Sequence, residues 1–201
     1  MKLARLSVLM IGISFLLTAC GSSFTFVRRP EPSSIKGAKK VAVVAMTYEG
    51  LMIGKKSFDQ YIKEKEDKAA EKGKESKADE KWDTNMDKWQ KDMTAAISSE
   101  LKNAGVDVVE VPNLSAATEG VIIQVNVEFI EPGFYTYVIN NPSQTRVRVK
   151  VIDATKPGDP IYEFLGVSSH GGYTTGGRIG MDISSLANQI AKFLRGEISA
   201  A

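Results

Sequence analysis

The sequence has one cysteine, Cys20, and one histidine, His170, among 201 residues. A single cysteine excludes an internal disulfide and any metal site built from several thiolates. A single histidine excludes paired imidazole ligands, and any acid–base mechanism that uses imidazole must use His170. No spacing of carboxylates around it predicts a metal site. Stability must therefore come from packing of an apolar core, and we expect no metal and no cofactor.

Long hydrophobic runs are also scarce. The apolar leader before Cys20 has 14 uncharged residues, from Leu6 to Ala19, whereas a membrane-spanning helix needs about 20. It follows the positive charges of Lys2 and Arg5 and ends in small residues, which is the pattern of a cleaved export signal. Without another such run, the rest of the chain is expected to lie in water.

Excess charge is absent once this leader is removed. Lys2 and Arg5 are lost with residues 1–19, so the basic residues fall from 26 to 24 and equal the 24 acidic ones. A neutral chain without a basic, aromatic-rich patch does not predict nucleic-acid binding. Its 182 residues are enough for one well-packed domain.

The leader ends in Leu17-Thr18-Ala19-Cys20, which resembles the lipobox of bacterial lipoprotein precursors. The resemblance implies a diacylglycerol thioether on Cys20, cleavage before Cys20, and acylation of the new amino group, so the only bound group expected is covalent lipid. Several acyl chains give stable membrane attachment. Gly21 and Ser22 replace the Asp of inner-membrane lipoproteins, which resembles the outer-membrane sorting pattern and implies a domain facing the periplasm. The alternative is an ordinary signal peptide in which Cys20 is merely a small residue.

These features divide the chain into a signal peptide (1–19), a lipidated tether (20–38) and a single globular domain (39–201). The tether is rich in Pro and Ser, although Phe24, Phe26 and Val27 alternate as in an edge strand or an interfacial contact. Inside the domain, residues 55–81 carry nine Lys and eight acidic residues. This composition predicts a solvated helical or disordered insertion, or a protruding handle for a partner.

The periodicity of the domain predicts an α/β (α+β) fold. A buried strand over 41–45 precedes a helix capped by Asp83 or Thr84, with an apolar stripe of Met86, Trp89, Met93, Ile97 and Leu101. A strand over 106–111 follows. Alternation then predicts strands over 121–130, 146–152 and 161–169, joined as an antiparallel meander, before a final helix capped by Asp182. The expected result is a mixed sheet with helices on one face, leaving the face of Arg146, Arg148 and Lys150 partly wet.

One candidate site is the Gly-rich segment 170–180, which contains His170 and Arg178. Its glycine amides, with Arg178 and a nearby helix terminus, suit an anion, but no P-loop sequence is present. Ser168 and Ser169 adjoin His170 too closely in sequence for a catalytic triad. The segment is therefore either a flexible connection or a ligand-binding loop.

The second candidate is the long loop 131–143, which contains Phe134, Tyr135 and Tyr137. Three aromatic side chains are costly to expose. They either extend the hairpin and pack on the sheet, or they form a surface for a protein or a glycan.

The lipobox, the opening Lys40-Val41-Ala42-Val43-Val44 and the meander with a terminal helix resemble small envelope lipoproteins of unknown function. They are also distantly similar to lipoproteins that assist curli secretion or activate cell-wall synthases. The resemblance implies a non-enzymatic binding or assembly role with an envelope protein or glycan as partner. The alternative hypotheses are a ligand-binding or hydrolytic domain that acts on cell-wall or glycan material through 170–180, and a multimeric ring or pore. The sequence does not define an oligomeric state.

Overall fold

The computed structural model describes residues 22–28, 35–136 and 140–199. Its helices are α1 (Phe58–Ala70), α2 (Ala78–Asn103) and α3 (Thr175–Ser199), and Leu114–Ala116 form a 3₁₀ turn. Its strands are β1 (Ser23–Arg28), β2 (Lys40–Val44), β3 (Met52–Ile53), β4 (Lys56–Ser57), β5 (Asp107–Val111), β6 (Val121–Glu131), β7 (Phe134–Tyr135), β8 (Asn140–Asn141), β9 (Gln144–Asp153) and β10 (Pro160–Ser168).

The main sheet has the strand order β1-β10-β9-β6-β2-β5. The β6, β9 and β10 strands form the predicted antiparallel meander, and β2 runs parallel to both of its neighbours. The short β3–β4 hairpin extends the sheet beside β6, whereas β7 and β8 pair only with each other. The predicted mixed sheet in an α+β fold is therefore confirmed.

Helices α2 and α3 pack together on one face of this sheet. The apolar stripe predicted for α2 is the right one, because Trp89, Met93, Ile97 and Leu101 all lie in the main core. On the opposite face a small cluster of Ala42, Val44, Ile122 and Ile152 packs against the 3₁₀ turn. None of the helices in the described part of the chain is long and apolar enough to cross a membrane.

Strand β1 belongs to the sheet, so residues 23–28 of the predicted tether form the edge strand that their alternation allowed. It pairs antiparallel with β10, and the Phe24 ring lies 4.9 Å from that of Phe164 between their centroids. Farther along, Ile35 is buried and the amide of Gly37 donates to the Ile198 carbonyl. The alternation of apolar residues after Cys20 thus reflects an edge strand, whereas Cys20 itself lies outside the described residues.

The charged segment 55–81 is largely helical. Ser57 and Gln60 form a reciprocal capping box that starts α1, and Ile62 is the one buried residue of that helix. The α2 helix begins at Ala78, so the predicted start at Asp83 or Thr84 is wrong. The earlier turn is retained because Trp82 is buried and meets the ring of Tyr61 edge-on at 5.7 Å.

The α3 helix begins at Thr175, seven residues before the cap predicted at Asp182. Three glycines of the supposed loop therefore lie in its first turns, where two of them allow close packing on α2. A Cβ on Gly176 would stand 3.3 Å from Asn85, and one on Gly180 would stand 3.3 Å from the Trp89 indole nitrogen. The glycines are thus consistent with helix–helix contact rather than loop flexibility.

Candidate functional site

The two candidate loops leave the same end of the sheet. Glu131 at the end of β6 pairs with Gln144 at the start of β9, and Ser168 at the end of β10 pairs with Thr145. The loops that follow β6 and β10 are therefore neighbours. Two further contacts join them, since the Ser143 amide donates to the His170 carbonyl and the Tyr135 ring packs on Tyr173.

Beneath these loops lies a buried carboxylate, Asp182, on the inner face of α3. His170 Nδ1 lies 2.7 Å from Asp182 Oδ1, while Ser143 Oγ and Thr145 Oγ1 donate to Oδ2 at 2.7 and 3.3 Å. Burial raises the pKa of Asp182 above its ordinary value, although the hydrogen bonds from Ser143 and His170 oppose this shift. The sequence predicts Asp182 only as a helix cap, because its partners Ser143, Thr145 and His170 lie on other segments of the chain.

His170 is positioned by the cluster, with its side chain one-third exposed. A hydrolytic triad needs a serine hydroxyl on the imidazole nitrogen that faces away from the carboxylate. Here the Ser168 hydroxyl lies 3.3 Å from Nδ1, the same nitrogen that faces Asp182, and the Ser169 hydroxyl donates to the Ser143 carbonyl. Neither serine is placed as a nucleophile. The described residues also contain no group of three His, Cys, Asp or Glu side chains that suits a metal ion.

Arg178 is directed into the protein rather than toward a ligand. Only 2% of the residue is exposed. Its guanidinium donates to the Gly172 carbonyl at 2.6 Å and to the Pro132 carbonyl at 2.9 and 3.3 Å. Because Pro132 and Gly172 belong to the two different loops, Arg178 ties one loop to the other. This geometry favours a structural role over the anion-binding role considered from sequence.

An exposed apolar patch covers the outside of the joined loops. We define this aromatic patch as Phe134, Tyr135, Tyr173 and Met181, which are 49%, 38%, 82% and 43% exposed. The Tyr135 and Tyr173 rings meet edge-on with centroids 4.9 Å apart. Phe134 and Tyr135 are candidates from the sequence, whereas Tyr173 and Met181 join them only through the fold. Tyr137, the third aromatic candidate, lies outside the described residues.

The cationic row of the helix-free sheet face is largely ion-paired. Arg148 forms salt bridges to Glu128 on one neighbouring strand and Glu163 on the other. Arg146 Nε lies 3.7 Å from Glu128, and the guanidinium stacks over the Phe129 ring at 5.3 Å from its centroid. Arg146 and Arg148 therefore stabilise cross-strand pairing and offer little uncompensated charge to a partner.

A separate cleft lies between α1 and α2 and extends to the start of α3. It has a volume of about 570 Å³, with Tyr61 and Trp82 in its wall. Four lysines line it, against a single carboxylate from Glu75. We call this feature the lysine cleft; its lysines are Lys65, Lys74, Lys77 and Lys81.

Several solved structures of other proteins are distantly similar to this chain at low sequence identity. The PelC dodecamer from Paraburkholderia phytofirmans is 17% identical over 90% of this chain and 99% of that chain, with a TM-score of 0.46. Protein XCC0632 from Xanthomonas campestris is 7% identical over 84% and 91% of the two chains, with a TM-score of 0.46.

A minor lipoprotein from Acinetobacter baumannii is 12% identical over 79% of this chain and 94% of that chain, with a TM-score of 0.39. At these values the likeness is distant, and no activity, partner or assembly state is transferred from those proteins. Neither protein-family profiles nor curated protein sequences gave a significant match to the chain.

Proposed function

We propose that the protein is a lipid-anchored, non-enzymatic protein of the bacterial envelope that binds an acidic partner through the lysine cleft. The anchor is Cys20 at the outer membrane, and the domain faces the periplasm. The partner is an envelope protein or a glycan that carries negative charge. The anchor rests on the lipobox sequence, and the binding role rests on the cleft.

The observation that carries the binding role is the convergence of four lysines on one concave surface. In the sequence, lysines and carboxylates of 55–81 are nearly balanced, but in the fold Lys65, Lys74, Lys77 and Lys81 line the cleft with only Glu75 opposing them. A concave wall with one sign of charge concentrates oppositely charged ligands. Within the charged segment 55–81, we therefore propose this cleft as the surface that binds the partner.

Photo-crosslinking in intact cells tests the binding role. A photoreactive amino acid in place of Lys77 is expected to give an adduct that disappears when Lys65 and Lys81 are changed to Glu. The matched control changes Lys63 and Lys72 to Glu, because both are exposed and neither lines the cleft. An adduct that survives reversal in the cleft, or one that is lost equally in the control, contradicts the proposal.

Fatty-acid labelling of the wild type and of the Cys20→Ala protein tests the anchor separately. Without its thiol the chain accepts no lipid, so we expect labelled palmitate in the wild type only. A wild-type protein that takes up no label contradicts the lipid assignment but leaves the cleft experiment interpretable.

One observation, the Asp182–His170 pair, favours a second candidate function. A buried carboxylate that holds Nδ1 of a partly exposed imidazole is an arrangement that also supports acid–base chemistry on cell-wall or glycan material. His170→Asn keeps a polar side chain of similar reach and removes the imidazole. If the protein is non-enzymatic, cells with normal amounts of the variant are expected to behave like wild-type cells. A loss-of-function phenotype in cells with normal amounts of the variant favours the hydrolytic alternative.

A further inference from the structure

The described chain begins at the end of the sheet that carries the two joined loops. Ser22 Oγ lies 2.7 Å from Ser185 Oγ on α3 and 3.4 Å from Ser168 Oγ at the end of β10. Cys20 precedes Ser22 by two residues, a reach of at most about 7 Å. A lipid on Cys20 therefore holds this end of the domain close to the bilayer.

A series of neighbouring residues leads from Ser22 to the aromatic patch. Met181 lies one helical turn before Ser185 on α3, so the two side chains share a face. The Met181 methyl group lies 3.1 Å from the position that a Cβ on Gly172 would occupy. Tyr173 follows Gly172 and meets Tyr135, which adjoins Phe134. The patch thus begins beside the point where the chain leaves toward Cys20.

The chemistry of the patch suits a membrane surface. Tyrosine combines an apolar ring with a hydroxyl and is enriched at the depth of lipid headgroups. Lys55 adds an exposed positive charge at the same end, because it lies in the turn after Ile53, which pairs with Ile130 near the end of β6. A positive charge near the surface is favourable beside anionic lipid headgroups.

We propose that the aromatic patch lies in the headgroup layer of the membrane that holds the Cys20 lipid, as a second attachment that fixes the orientation of the domain. This inference rests on the lipid anchor of the proposed function and is independent of the lysine cleft. In this orientation the opposite end of the sheet, where Gly37 meets Ile198, is directed away from the bilayer.

Quenching by brominated lipids tests the contact. The full lipidated protein is purified in detergent and reconstituted into phosphatidylethanolamine–phosphatidylglycerol vesicles with or without brominated acyl chains. The Tyr173→Trp variant reports on the patch, and Val109→Trp is the matched control, since Val109 is 56% exposed on β5 at the far edge of the sheet. Native Trp82 and Trp89 are buried and contribute a common background.

We expect the added tryptophan at 173 to lose at least twice as large a fraction of its emission as the one at 109. Equal quenching in protein that floats with the vesicles overturns the proposal and leaves the lipid anchor intact. Protein that does not float shows instead that the anchor itself is wrong, and the proposal fails with it.

Two further outcomes are informative. If Tyr173→Trp does not fold, Tyr135→Trp serves as the reporter, with the same expected excess over Val109→Trp. Crosslinks between copies of the chain through the patch, together with equal quenching, would assign the surface to self-association and overturn the membrane contact.

Discussion

Replacing Asp182 by Ala removes the acceptor at the centre of the buried polar cluster. Asp182, Ser143 and Thr145 are all 0% exposed, so water does not replace the lost carboxylate. Ser143 retains a second acceptor, the His170 carbonyl at 3.2 Å, and the imidazole is partly exposed, but within the described part of the chain the Thr145 hydroxyl has no other hydrogen-bond acceptor. An unsatisfied buried hydroxyl and lost charged hydrogen bonds, less the relief of a buried charge, give an expected loss of about 2–3 kcal/mol.

Asp182→Asn is the matched control because it keeps an acceptor of the same shape. Its amide oxygen accepts from Ser143 and Thr145, and its amide nitrogen faces Nδ1 of His170. We expect a cost below about 1 kcal/mol near neutral pH, since the hydrogen bonds are largely retained. The comparison therefore separates the loss of an acceptor from the loss of a charge.

The two proteins should also differ in their pH dependence. Burial raises the pKa of Asp182 above its ordinary value of 3.8, so the folded state binds this proton more readily than the unfolded state. The contribution of Asp182 to stability is then largest below pH 3.8 and decreases as the pH rises through the folded pKa. Asn does not titrate, so the free energy of unfolding of Asp182→Asn should rise relative to that of the wild type as the pH rises from about 4 to 7.

Urea unfolding at the two pH values, followed by the fluorescence of the buried tryptophans, measures these free energies. If Asp182→Asn costs as much stability as Asp182→Ala at both pH values, the retained acceptor does not stabilise the cluster. If the wild type gains stability over Asp182→Asn as the pH rises, a raised pKa of the Asp182 carboxyl is contradicted.

Three further predictions concern strain, the loop tie and the core. Gly120→Ala should cost about 2–4 kcal/mol of unfolding free energy, because φ is +79° and the new Cβ would lie 2.5 Å from the Lys40 carbonyl oxygen. Gly73→Ala, at φ +62° in open space, should cost about 1 kcal/mol. Equal losses in urea unfolding would contradict this difference. Arg178→Met leaves two loop carbonyls without their donor and should lower stability by about 2 kcal/mol and speed proteolysis of the loops; unchanged cleavage would disprove the tie. Ile97→Ala, at a site with 0% exposure, should lower the unfolding free energy by about 2–5 kcal/mol, and a loss below 1 kcal/mol would exclude a close-packed site.

The regular elements were predictable because their signals are local. Alternating apolar residues identified the three meander strands, and the stripe from Trp89 to Leu101 identified the buried face of α2. The helix starts were not predictable in this way. The first turn of α2 consists mostly of charged residues, so it shows no apolar stripe although such residues can form a helix. The first turns of α3 contain glycines that serve close packing, and in the sequence these resemble a loop.

The candidate site was predictable in its parts and not in its assembly. The sequence predicts His170 as a candidate because it is the one histidine. It predicts Phe134 and Tyr135 because they lie in an aromatic loop. The sequence does not show that Arg178 donates its hydrogen bonds to backbone carbonyls, one of them that of the distant Pro132. Nor does it show that Tyr173 packs on Tyr135, because these residues are also distant along the chain. Tertiary contact alone turns two separate loops into one surface.

The pairing of β1 with β10 joins segments that are far apart in the sequence, with Ser23 opposite Val167. Contacts between such distant residues form slowly because a long loop must first be closed. While β1 is undocked, β10 is an open sheet edge and the rings of Phe24 and Phe26 are unburied. We therefore expect protein with an undocked β1 to be prone to aggregation.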